Sequence, residues 1–512
     1  MNTISHSSPS RDGAPATAPA SPRGIVLFVL LSGGFMTVFD LFVVNVAIPA
    51  LQHDLAATLA DIGMIIAGYE LTFGCLLMTG SRLGDIFQRR KMFSLGMLAF
   101  GASSLLCGLA PTTQVLIVGR LLQGAAAALL FPQIYALLKV LYAETARRRA
   151  FALLGMTLGL AAIAGQVLGG FLVEGNFYGL GWRIVFLINL PIGLVCAFLC
   201  RYIPQENRGS RKTSLSDLDL GGVALITAAL FLILLPLLES RSFSHPALML
   251  AYMGGALVLL AVYLAHEKRQ KRRNLPMAID LSLLTNINFT LGILVVLVIY
   301  STATSFFLCF ALLMQTGHGF SPLVSGSLMA PASVGFVLAS LIAPKMFHHF
   351  GIRSVALGTV AYAAGFAALA MTVNGPEFSG TAHPLTPDNL TLPTMMLPIQ
   401  FLLGFGQGLS MTPLLNIVIG FITDHRHTGM ASGMIATMQQ IGGAFGVAIT
   451  GLIFRVPTPD ALQNTPHLLD LYNGAFAHVM IYAICAALCA SIILIWLDLR
   501  GKNARQAENP AM

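Results

Sequence analysis

Apolar side chains are concentrated in fourteen stretches, and short segments holding nearly all of the charged residues separate them. The stretches cover about 24–47, 62–82, 92–111, 115–139, 150–172, 184–203, 217–238, 247–265, 287–313, 323–347, 353–373, 394–420, 429–453 and 474–498. Roughly 20 apolar residues in a helix cross the ~30 Å hydrocarbon core of a bilayer. The pattern therefore predicts an all-α polytopic membrane protein with fourteen transmembrane helices. The alternating ten-residue segments of an outer-membrane barrel are absent from the sequence. Residues 1–23, rich in Ser, Pro and Ala, are expected to form a disordered cytoplasmic tail. They do not read as a signal peptide, because the apolar run that follows is too long and no small-residue cleavage site follows it.

Composition removes the competing classes. Of 512 residues, 56% are hydrophobic and 10% charged, whereas soluble domains carry roughly 25% charged residues. So few charges cannot cover the surface of several soluble domains, and the recurring apolar runs exclude disorder. The seven cysteines all lie in apolar runs. Cys196/Cys200 and Cys485/Cys489 are i,i+4 pairs, but no His or carboxylate joins them at ligand spacing. They read as small apolar residues, not a metal site.

Charge placement sets the topology. With the N-terminus inside, 25 of the 29 Lys and Arg fall on the cytoplasmic side and 3 (Arg183, Arg241, Arg455) outside, with Arg120 left within a span. The positive-inside rule then predicts both termini in the cytoplasm and an even number of spans. The basic run from His266 to Arg273 becomes a topology anchor beside anionic lipid, and the net charge of +8 gives no reason to expect nucleic acid.

An internal repeat organises the spans. Leu122-Gln123-Gly124 is echoed by Gly406-Gln407-Gly408, Gly155-Met156 with Gly165 by Gly433-Met434 with Gly443, and the basic turn at Arg90 by Gly351-Ile352-Arg353. Spans 1–6 thus match spans 9–14. The expected units are a six-helix bundle over 24–204, a linker with two extra helices over 205–286, a second six-helix bundle over 287–499 and a cytoplasmic tail over 500–512. Parallel repeats of this kind place a transport site between the halves near the membrane midplane.

Three ionisable residues lie deep within spans: Asp40, Glu70 and Arg120. Each costs about 2.5–3.5 kcal/mol at a helix centre, so each needs a partner or water. Either Asp40 or Glu70 can pair with Arg120; the pattern leaves both open. Carboxyl groups in low-dielectric cavities hold protons that aqueous carboxyls release, and they attract lipophilic cations. Competition of proton and cation for one negative charge is a direct route to antiport. Asp61 sits at an outer boundary, where solvation is enough for it. The in-span amides Asn45, Gln123, Gln166, Gln407, Asn416, Gln439 and Gln440 read as interhelical hydrogen-bonders. The sequence has no GxxxxGK[ST], HExxH or GxSxG, and Gly404-Phe405-Gly406-Gln407-Gly408 follows no strand. Neither enzyme chemistry nor a cofactor is expected.

The motifs carry a family resemblance. Asp40-Leu41-Phe42-Val43-Val44-Asn45-Val46-Ala47-Ile48-Pro49, Arg82-Leu83-Gly84-Asp85 with Arg89-Arg90-Lys91, Arg120-Leu121-Leu122-Gln123-Gly124, the glycine-rich Gly155–Gly170 and Trp182-Arg183 with Ile188-Asn189 stand at matching spans. Together they resemble the major facilitator superfamily, in particular its fourteen-helix drug–proton antiporters of the EmrB/QacA type. The resemblance implies the major facilitator fold, with export of amphipathic, cationic toxic compounds in exchange for protons. The proton gradient is then the energy source, and partners are small molecules, protons and lipid, with either a periplasmic adaptor or a monomeric state. It further implies that Asp85, Arg89 and Arg90 form a gating latch beside the neighbouring bundle, that Arg120 tunes the proton-binding carboxyl, and that Gly155, Gly159, Gly165, Gln166, Gly169 and Gly170 let spans pack and bend. The sequence departs from the pattern at Ser81, Ile86 and Gln88 of the loop motif, at Gln166 where the antiporter motif has Pro, and at Glu70, where an apolar residue is usual. A permease for one metabolite (a siderophore, an antibiotic or an organic acid) and a non-transporting sensor are the alternative functions.

Overall fold

The computed structural model describes residues 23–205, 218–238, 246–273, 275, 277, 281–375, 391–422, 428–454 and 468–508. The predicted tail over residues 1–22, the basic residues of 206–217, most of the long outer loop and Arg426 lie outside the described residues. Among those residues there is no strand, and fourteen helices are long and apolar enough to cross a membrane.

The first six spans are α1 (Arg23–Leu55), α2 (Leu59–Phe87), α3 (Arg89–Gly108), α4 (Thr113–Leu141), α5 (Glu144–Glu174) and a sixth in two pieces, α6 (Ile184–Leu187) and α7 (Asn189–Leu199). The inserted pair is α8 (Leu220–Leu238) and α9 (Pro246–Arg272). The last six are α10 (Ile287–Leu312), α11 (Pro322–Phe350), α12 (Ile352–Val373), α13 (Thr391–Gly420), α14 (Thr428–Ile453) and α15 (Leu468–Glu508). The last helix runs beyond the apolar stretch that ends near 498.

Polar residues start the helices where backbone N–H groups need acceptors. Thr58 and Asp61 form a reciprocal cap at α2: Asp61 N–H donates to Thr58 Oγ1 at 3.1 Å and Thr58 N–H to Asp61 Oδ2 at 2.9 Å. Asp61 therefore has a structural task beyond solvation. Ser321, followed by Pro322 at the first helical position, caps α11, and Asn286 caps α10. Outside the first bundle's core, Asp54 at the end of α1 accepts from Trp182 Nε1 at 2.8 Å and from Arg183 at 2.5 Å, tying α1 to the start of the sixth span.

Packing repeats as the sequence does. In the first half α2 lies against α4, α3 against α4, and α1 against α5. In the second half α11 lies against α13, α12 against α13, and α10 against α14. Glycines set the closest approaches. A Cβ on Gly124 would meet the Tyr69 carbonyl at 2.5 Å, and its repeat partner Gly408 is pressed in the same way on the Phe336 carbonyl. The two halves meet along two seams, α2 with α14 and α5 with α11, which the repeat exchanges. The inserted α8 packs on both α2 and α14, so it covers one seam. Leu238 fills the notch at Gly63 of α2 and also reaches Gly451 of α14.

The turn joining α2 to α3 explains one departure from the family pattern. Gln88 stands there at φ 78°, and the equivalent turn between α11 and α12 has Gly351 at φ 58°. Both residues hold a conformation that L side chains disfavour. Gln88→Gly is therefore expected to raise stability by about 1 kcal/mol, read as a higher melting temperature in detergent; an unchanged or lower value would contradict the strain.

Candidate functional site

Of the two possible partners, Arg120 takes Asp40. Both side chains are fully buried at 0% exposure. Arg120 Nη1 donates to Asp40 Oδ2 at 2.5 Å and to Gln123 Oε1 at 2.6 Å, and its Nε donates to the Ile65 carbonyl at 3.0 Å. The guanidinium lies 4.2 Å from the Tyr69 ring centroid and 5.8 Å from that of Phe186, so the cation has aromatic faces as well as acceptors. The other carboxylate oxygen, Oδ1, accepts from Gln123 Nε2 at 2.8 Å and Asn189 Nδ2 at 2.9 Å. Ser104 completes the set, accepting from the Gln123 and Asn189 amides at 2.5 and 3.3 Å. The network draws on α1, α2, α3, α4 and α7, all within the first half.

Sequence periodicity predicted Asp40 and Arg120 and marked Gln123 as an interhelical hydrogen-bonder. It gave no role to Ser104, and it noted Asn189 only as part of a motif. A Ser or Asn in an apolar span is too common to single out without its neighbours. The backbone stays helical through Ile188, and Asn189 reaches Asp40 from the start of α7.

Glu70 is not part of this network. It is 3% exposed on α2, and its partner lies in the other half: Thr304 Oγ1 of α10 donates to Oε1 at 3.3 Å. The loop-motif residues divide their contacts. Asp85 accepts from Arg89 Nη2 at 2.9 Å, four residues on and partly exposed. Arg90 Nη1 instead donates to the Ile203 carbonyl at the end of the sixth span, at 2.9 Å. Arg82 reaches furthest, donating to the Met277 carbonyl in the linker at 2.8 Å. These described contacts keep Arg89 and Arg90 within the first half, and Arg82 is the motif's tie to the segment between halves.

The glycines of α5 split between two neighbours. Cβ atoms on Gly165 and Gly169 would meet Phe42 and Val43 of α1 at 2.8 and 2.6 Å. Those on Gly159 and Gly170 would meet Val337 and the Pro322 carbonyl of α11 at 2.7 and 2.5 Å, which is the second seam. Gly155 has nothing within 4 Å, so no close packing requires glycine there in this conformation. Gln166 is fully buried, and its amide atoms have no partner among the described residues. At the end of the seam where α5 finishes and α11 starts, Glu174 accepts from the Leu323 backbone N–H at 3.1 Å. Gly170→Val is expected to shift the halves away from this contact by roughly 5–150-fold, the equivalent of 1–3 kcal/mol of overpacking. Labelling of a cysteine placed near Leu323 is the measurement; unchanged labelling would count against it.

Paired bundles that meet along two exchangeable seams, with a buried ion pair in one bundle, define a polytopic membrane transporter. The sequence profile of the Major Facilitator Superfamily matches residues 30–447, and the chain belongs to that superfamily; it is a transporter, not an enzyme. It is 34% identical to the "Probable actinorhodin transporter" of Streptomyces coelicolor, over 87% of this chain and 75% of that protein. It is 32% identical to the puromycin resistance protein pur8 of Streptomyces alboniger, over 86% of this chain and 84% of that protein. The drug efflux pump JefA of Mycobacterium tuberculosis is 31% identical, over 85% and 80%. Among solved structures, a bacterial homologue of the human lysosomal transporter Spinster, inward-facing and occupied, aligns with TM-score 0.63 at 15% identity, covering 94% of this chain and 98% of that one. The D-xylose–proton symporter aligns with TM-score 0.62 at 11% identity, over 92% and 97%. These two establish the fold.

Proposed function

We propose that this protein is a drug exporter of the cytoplasmic membrane, with both termini in the cytoplasm, and that it moves amphipathic, cationic compounds outward in exchange for protons. The relatives named for antibiotic transport, resistance and drug efflux support export of toxic small molecules. The observation that carries the coupling is the Asp40–Arg120 pair, a carboxylate sealed from water at 0% exposure and held by Gln123 and Asn189. A buried charge of this kind in a membrane span marks a proton or ion pathway. Residues 24–204 and 287–499 act as the rocking halves, and 205–286 joins them. Asp85, Arg89 and Arg90 brace the cytoplasmic end of the first half, and the glycines of α5 let it slide on α1 and α11. No cofactor is required; the proton gradient drives the cycle, and the transporter works either with a periplasmic adaptor or as a monomer.

Reconstitution into proteoliposomes with an imposed pH gradient tests this reading. Lipophilic cations should accumulate in response to the gradient, and neutral or anionic analogues should accumulate less. Flux that ignores the gradient would remove proton coupling, and a preference for anions would remove the cationic substrate class.

A further inference from the structure

Glu70 is a buried carboxyl in mid-span that crosses from one half to the other. It leaves the first half on α2 and ends inside the second half. Thr304 of α10 donates to Oε1, and Oε2 has no partner among the described residues. Gly443 of α14 makes the room: a Cβ there would stand 2.7 Å from the Glu70 carboxyl carbon. A neighbouring contact ties the same two helices, with Thr437 Oγ1 donating to the Gly74 carbonyl at 3.0 Å.

Among the described residues no cation is hydrogen-bonded to this carboxyl, and α8, which packs on the same seam, carries no charged residue. α10 and α14 contain no Asp, Glu, Lys, Arg or His. Tyr300 of α10 accepts from Gln439 Nε2 at 2.9 Å, and Tyr69 beside Glu70 on α2 stacks under Arg120. Arg120 on α4 is the cation on this side, and Asp40 on α1 already holds it. An unpaired carboxylate taken out of water costs several kcal/mol, whereas a neutral carboxyl needs only a hydrogen-bond partner. The seam between α5 and α11 has no equivalent device: α11 has no Asp or Glu, and α5 carries Glu144 and Glu174 only at its ends.

We propose that Glu70 is a proton-operated clasp between the two halves. α2 closes onto α10 and α14 with the acid neutral, and release of the proton to water on the open side favours separation of this seam. The freed carboxylate then receives a cationic substrate, a step that rests on the transport function proposed above; the clasp itself does not. A ligand or proton shifts such an equilibrium only by its differential affinity for the two states, and burial supplies that difference here.

Spin labels at the cytoplasmic ends of α2 and α14, in the full-length protein in nanodiscs, read the clasp directly. Raising the pH should move the wild type from short to long distances, changing the population ratio at least tenfold. Glu70→Gln should stay at the short distance at every pH. Glu70→Ala, which removes the carboxyl altogether, should lose the pH response as well. A Glu70→Gln or Glu70→Ala protein that titrates like the wild type would overturn the proposal. Asp40→Asn should keep the wild-type distance response even where its export is lost. If that variant alone loses the response, the clasp belongs to Asp40 and the proposal for Glu70 fails.

Discussion

Asp40→Asn is expected to insert and fold yet to lose proton-driven export in proteoliposomes. An amide has the size of the carboxyl and still accepts from Gln123 or Asn189, so the cavity keeps its shape. Arg120 keeps the Ile65 carbonyl, Gln123 Oε1 and the faces of Tyr69 and Phe186. What disappears is the group that can carry a proton. The expected loss is at least 100-fold in gradient-driven uptake, in line with removal of a positioned acid–base group worth about 10²–10⁴. The variant leaves Arg120 without its counter-charge and is expected to be less stable than the wild type; unchanged gradient-driven uptake per folded protein would take Asp40 out of the coupling step.

Arg120→Leu should have the largest effect on stability. Removing one member of a buried ion pair typically costs about 3–5 kcal/mol, because the remaining charge keeps its desolvation penalty without its partner. Asp40 is the group left without its partner, and a leucine also abandons the Ile65 carbonyl and Gln123 Oε1. The double variant Asp40→Asn/Arg120→Leu removes both charges and should recover most of that loss, while export stays absent. Thermal unfolding of the two single variants and the double variant gives the coupling energy directly. Simple additivity would mean that the 2.5 Å contact does not hold these helices together.

Much of this architecture could be read from the chain because lipid imposes a strict rule: backbone polar groups must be satisfied within the segment. Each apolar stretch therefore became a helix, and errors concern the ends. The first stretch was expected over 24–47 and the helix runs to Leu55, since Asp54 is held by Trp182 and Arg183 and polar residues remain helical outside the apolar core. Buried charges were equally legible, because each is so costly that its presence demands a reason. Pairing was not. Asp40 and Glu70 are chemically alike and 30 residues apart, and only the direction in which each leaves its helix gives Arg120 to one and the second half to the other. Asn189 was hidden for a related reason: an asparagine in an apolar span shows its role only once the carboxylate it donates to is known. Gln88 shows the opposite case, where a departure from a glycine pattern pointed to a backbone position that the structure places at positive φ.

The two inserted helices bear on how the halves can move. α8 touches α2 of one half and α14 of the other mainly through Leu230, Phe231, Leu234, Leu237 and Leu238, with one weak thiol hydrogen bond between Cys75 of α2 and Thr227. Dispersion contacts of this kind have no preferred direction and can be exchanged one for the next as a surface slides. A helix bound to both halves by directional hydrogen bonds would tether them. A helix bound by an apolar face acts as a bearing: it keeps lipid out of the joint while the halves turn against it, in the manner of small shear steps between packed helices.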